Sequence, residues 1–182
     1  MKYTIYLFFL LILAQCQSKH TDNVEINQEK EIQENPYEGY DTHEISLVDA
    51  KVKIQVPGVD LVGKEPQVST GNSGVTNMKI GKNFHLEILE GKLNIEETIS
   101  DLGKDIFYKI TILSKDENQV IFEKSLPDGS QSFVNFMMNK NVDDAPVIVR
   151  SASNGQFRKA HVDRMMKSAA TIDVNNEIVM NK

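Results

Sequence analysis

The chain has 182 residues, 20 of them basic and 26 acidic, a net charge of −6 and a single cysteine. One cysteine excludes a fold stapled by internal disulfides. The acidic balance lacks the basic surplus from which nucleic-acid binders draw most of their affinity, so no nucleic-acid partner is expected.

Lys2 makes a minimal charged start, residues 4–14 form an apolar run, and Cys16 follows. The run is well short of the ~20 residues with which a helix crosses a bilayer, and reads as the core of an export signal. Leu13, Ala14, Gln15 and Cys16 resemble the lipobox of bacterial lipoproteins, in which the cysteine is acylated and becomes the new N-terminus. The resemblance implies a signal peptide over residues 1–15, lipid (palmitate) attachment at Cys16 and a place in the bacterial cell envelope, facing the periplasm or the outside. Gln15 stands where a small residue is usual, which leaves ordinary cleavage near Ala14 or an uncleaved anchor as alternatives. Gln17 is not the Asp associated with inner-membrane retention in some bacteria, which points to the outer membrane. One acyl chain binds a membrane only marginally, whereas the two or more on a processed lipoprotein cysteine anchor it stably.

Residues 17–43 hold seven acids, Asp22, Glu25, Glu29, Glu31, Glu34, Glu38 and Asp41, against Lys19 and Lys30. Their isolated apolar residues keep no period, so residues 16–43 read as the lipidated cysteine and a flexible acidic tether. As a coil this tether spans roughly 30 Å. The remaining residues, 44–182, are nearly charge-balanced and of a length suited to one domain with one core.

Within that domain Ile45, Leu47, Val52, Ile54 and Val56 alternate with polar neighbours as strands do, until Pro57-Gly58. Residues 57–74 read as a surface loop, ending in Ser69-Thr70-Gly71-Asn72-Ser73-Gly74 but without the spacing of a nucleotide loop. Met78 and Ile80 precede a turn at Gly81-Lys82-Asn83, and Phe84, Leu86 and Ile88 form a half-buried hairpin strand. The period then changes: Asn94 is a helix cap with Glu97 three residues on, and Ile95, Ile99, Leu102 and Ile106 make one helical stripe. Strands follow at Tyr108-Ile110-Ile112, Val120-Phe122 and Val134-Phe136-Met138, joined by turns at Asp116-Glu117-Asn118 and Pro127-Asp128-Gly129. Short connections favour antiparallel neighbours. Val147-Ile148-Val149 suits a strand buried on both faces, for which a parallel pairing is open. Asn154 is the expected cap of a closing helix whose apolar side carries Phe157, His161, Val162, Met165, Met166, Ala169 and Ile172.

These elements describe an α+β fold, an antiparallel sheet flanked by helices. The meander from Tyr108 to Met138, with its Leu126-Pro127-Asp128-Gly129 turn, and the closing segment from Val147-Ile148-Val149 through Asn154-Gly155 to Met165-Met166 are similar to the PsbP-like fold group. That group, an α/β/α sandwich, includes photosystem accessory proteins, a Ran-binding nuclear transport factor and bacterial envelope lipoproteins. The resemblance covers residues 44–172 and implies a non-enzymatic binding or assembly role.

No catalytic motif accompanies this architecture. Acylation would remove Cys16 as a nucleophile, and the serines lie in no nucleophile elbow. His85 and Glu87, two apart on a strand, share a face and could give two metal ligands, or belong to a solvated polar face. Asp143-Asp144 lacks the alternating oxygen ligands of a calcium loop. His161 reads as a satisfied histidine on a helix face, and neither a cofactor nor a metal is expected. Met137-Met138 and Met165-Met166 either fill core or line an adaptable apolar groove. The expected function is therefore a membrane-tethered, non-catalytic binding or assembly module whose partner is an envelope protein. The alternatives are a carrier or chaperone for an apolar ligand, lipid or peptide, and an enzyme with a dispersed site.

Overall fold

The computed structural model describes residues 35–47, 51–142 and 145–174. The expected signal peptide, Cys16, the tether up to Glu34 and the pair Asp143-Asp144 lie outside the described residues.

The first two strands, β1 (Tyr40–Ser46) and β2 (Lys51–Pro57), form an antiparallel hairpin in which Ile45 faces Val52 and His43 faces Ile54. Val52, Ile54 and Val56 are buried between exposed or half-buried Lys51, Lys53 and Gln55, as alternation requires. The ordered fold thus begins before residue 44. Residues 40–43, read from sequence as tether, pair with residues 54–57, and Gly58 N–H donates to the Gly39 carbonyl at 2.8 Å. Their polar side chains hide a backbone that β2 satisfies; ladder hydrogen bonds need no apolar side chain.

The loop over residues 57–74 contains two short elements. One is a single helical turn, α1 (Val59–Val62), closed by Gly63 in the left-handed conformation; the other is β3 (Gln67–Thr70), an edge strand exposed at every position. β3 pairs with β4 (Thr76–Ile80), which pairs with β5 (Phe84–Glu90) as the expected hairpin.

After α2 (Ile95–Leu102) the chain runs through β6 (Lys109–Lys115), β7 (Gln119–Ser125), β8 (Ser132–Val142) and β9 (Ala145–Ser151). These complete a seven-stranded sheet in the order β3-β4-β5-β9-β8-β7-β6, with every neighbour antiparallel. The apolar run Val147-Ile148-Val149 therefore sits between β5 and β8, covered on both faces and antiparallel to both. The closing helix, α3 (Lys159–Ala170), leads to β10 (Asp173–Val174), which adds to the free side of β2.

Alternation divides the sheet into two apolar faces. Phe84, Leu86 and Ile88 of β5, Met78 of β4, Val147 and Val149 of β9 and Phe136 of β8 pack with the β1–β2 hairpin and with Phe157, Val162, Met165 and Ala169. A smaller cluster on the opposite face places Ile95, Ile99 and Leu102 of α2 over Ile110, Ile112, Val120, Phe122 and Met137. The sheet is thus flanked by α3 and the hairpin on one side and by α2 on the other. Each fully buried Phe, Leu or Ile contributes about 1.5–3 kcal/mol, so the larger cluster dominates stability.

Both longer helices differ from their expected bounds. Asn94 Oδ1 accepts from the Glu97 amide at 3.3 Å, as expected, but α2 ends at Leu102 rather than continuing to Ile106. The Gly103 amide closes on the Ile99 carbonyl, and Asp105 Oδ1 then accepts from the amides of Phe107 and Tyr108 at 2.8 and 3.0 Å, turning the chain out of the helix. α3 is capped at Arg158, not Asn154. The Phe157 carbonyl accepts from the Val134 amide at 2.8 Å, which holds residues just before α3 along β8 and delays the helix. Among the described residues no helix is long and apolar enough to cross a membrane.

Candidate functional site

His85 and Glu87 do share a face of β5, the face opposite the larger core, yet each is engaged elsewhere. His85 Nε2 lies 3.0 Å from Asn77 Oδ1, and Glu87 Oε2 accepts from Arg150 Nε at 2.7 Å. Burial pushes the His85 imidazole below its ordinary range, Glu87 pulls it back and Lys79 adds to the lowering. The described residues contain no cluster of three His, Cys, Asp or Glu side chains suited to a metal ion. The pair is thus built into two separate polar contacts.

His161 lies in the first turn of α3, where its Nδ1 accepts from the Arg158 amide at 3.3 Å. Burial lowers its affinity for a proton, and the charges of Arg164 and Arg158 lower it further. It helps to satisfy a helix end.

The paired methionines are divided by the geometry that makes them neighbours in sequence. Successive strand residues point to opposite faces, so Met138 packs on the larger core and Met137 under α2. Met165 is fully buried, with its Sδ accepting from the His85 amide at 3.3 Å, and Met166 packs against the same core. Met165 thus fills core, while Met137, Met138 and Met166 are partly buried against the two clusters.

Two surface features have no counterpart among the residues singled out from sequence as site candidates. The first is an apolar knuckle after α2: Ile106 is 85% and Phe107 71% exposed, and Asp105 fixes the turn that presents them. The two amide hydrogen bonds also hold the Asp105 carboxyl below its ordinary range. Leu113 on the edge strand β6 is 46% exposed at a register shift between Ile112 and Ser114. Sequence periodicity put Ile106 on the buried stripe; the Gly103-Lys104-Asp105 stop was the available signal that the stripe ends sooner.

The second is a cleft of about 360 Å³ between α1, the β4–β5 turn and α3. Leu61, Val62, Ile80 and Phe84 give it an apolar floor, and Lys64, Lys82 and Arg164 stand around it. A neighbouring hollow shares Lys64, Gly81 and Lys82 and adds Glu65, Gln67 and Lys79. No sequence pattern links these cations, since the fold alone brings them together.

Comparison with family models, with curated proteins and with solved structures finds no match to this chain.

Proposed function

We propose that the protein is a membrane-tethered, non-catalytic binding or assembly module of the bacterial cell envelope, acylated at Cys16 and held at the outer membrane. On this reading residues 17–34 form the tether, and the sheet with its flanking helices is an α/β/α sandwich of the PsbP-like kind. The observation that carries the reading is the sequence Leu13-Ala14-Gln15-Cys16 behind one Lys and an apolar run. It is supported by the knuckle at Ile106 and Phe107, two large apolar side chains that fill no core and are held outward by Asp105. Two adjacent, strongly exposed apolar side chains of this size are what a protein partner can bury. The partner is an envelope protein.

Photo-crosslinking tests this in intact cells. A photoreactive residue at position 107 is expected to capture one envelope protein with wild-type Cys16 and to lose it with Cys16→Ser. Equal capture from both chains, or capture unaffected by Ile106→Ser, contradicts the reading. The carrier alternative is supported by the apolar floor of the cleft at Leu61 and Val62.

A further inference from the structure

We infer that the cleft between α1 and α3 binds an amphiphilic anion, a phosphate ester or carboxylate carrying a short acyl or alkyl chain. The anionic group sits among Lys64, Lys82 and Arg164, and the chain lies against Leu61 and Val62. Lys64, Lys82 and Arg164 come from three separate segments to one cleft, and among the described residues none of them takes part in an ion pair. No carboxylate lines the cleft, and Glu65 borders only the neighbouring hollow, so the gathered positive charge favours an anion between the three cations.

The floor is apolar and partly open. Leu61 is 56% exposed although it packs over the Gly39 backbone so closely that a Cβ there would stand 2.8 Å from Leu61 Cδ1. That side chain is held in place yet left facing solvent, which suits a surface completed by ligand. The stem of Lys64 lies along Gly81, where a Cβ would come within 3.3 Å of its Cδ, and Gly81 itself has φ +60. A long side chain laid on a turn in this way covers apolar surface with its methylenes and leaves its ammonium wet. The volume of about 360 Å³ falls in the range of small-ligand sites and is enough for a head group with a short chain. An inorganic anion would use the cations and leave the floor bare.

The inference does not rest on the tether, and its test is independent of acylation. Full-length chain, wild type and Cys16→Ser, is titrated in neutral detergent with hexyl phosphate, hexanol or inorganic phosphate, and the amides of Leu61, Gly81 and Lys82 are followed by NMR. Saturable shifts with hexyl phosphate are expected in both chains, with at least tenfold weaker binding for phosphate or hexanol alone. Lys82→Gln with Arg164→Gln should weaken hexyl phosphate binding at least tenfold at an unchanged Tm. Leu61→Ser should weaken hexyl phosphate and leave phosphate as it was. Equal affinity for phosphate and hexyl phosphate would overturn the amphiphile. Absence of saturable shifts, or full binding by the charge variants, would overturn the site.

Discussion

Glu87 and Arg150 stand directly opposite each other on β5 and β9, with Oε2 and Nε 2.7 Å apart and the Glu87 side chain only 13% exposed. This contact joins β5 to the strand that the fold inserts beside it. It also takes up the carboxylate that sequence reading offers to a metal. Removing the guanidinium leaves a half-buried carboxylate without its donor. Arg150→Ala is expected to cost about 1.5–3 kcal/mol in urea unfolding, and Glu87→Gln less, because an amide oxygen still accepts from Arg150.

His85 and His161 both hold their protons less tightly in the fold than in the unfolded chain, mainly through burial. A histidine with a depressed folded pKa favours the neutral form, so stability is full above the unfolded value near pH 6.5 and declines as pH falls below it. Urea midpoints measured from about pH 7.5 to about pH 5 should therefore fall. His85→Gln, which keeps a polar partner for Asn77, should flatten the curve, and adding His161→Gln should flatten it further. A wild-type midpoint that rises on acidification through this window contradicts the assignment.

Phe157 is 2% exposed and its ring lies against Gly155, so that a methyl group at position 155 would fall within the ring edge. Gly155→Ala must displace Phe157 from the larger core. The expected loss is about 2–4 kcal/mol, close to that of a large-to-small change at Phe157 itself. A Tm unchanged by Gly155→Ala would show that the ring is not seated there.

Ser168 is fully buried in α3, and its Oγ has no hydrogen-bond partner among the described residues. Ser168→Ala removes an unsatisfied hydroxyl and places a better helix former, so a gain of about 1 kcal/mol is expected. A loss of stability would mean that the hydroxyl is satisfied by water.

Much of the fold was legible as local pattern. The alternation at Phe84, Leu86 and Ile88 and at Val120 and Phe122, and the Asn94 cap, follow from periodicities of two and 3.6 that short segments carry within themselves. Boundaries were less legible where the determining partner is distant. Residues 40–43 look like tether until β2 is set beside them, and the start of α3 is delayed by a hydrogen bond from Val134 on another strand. The insertion of β9 between β5 and β8 leaves no local mark, since an apolar run fits a central strand of either direction. The cleft was invisible for the same reason: Lys64, Lys82 and Arg164 are ordinary surface cations until three segments meet. Ile106 reads as a buried stripe residue because it continues a helical period that Gly103 interrupts.

Whether Cys16 is acylated is decided at the mature N-terminus. The chain would be purified from whole cells that express it and its N-terminal peptide identified by mass spectrometry, beside Cys16→Ser. A peptide that begins at Cys16 and carries at least two acyl chains, absent from the variant, is expected. A peptide that begins at Gln15, or at an unmodified Cys16, would contradict it.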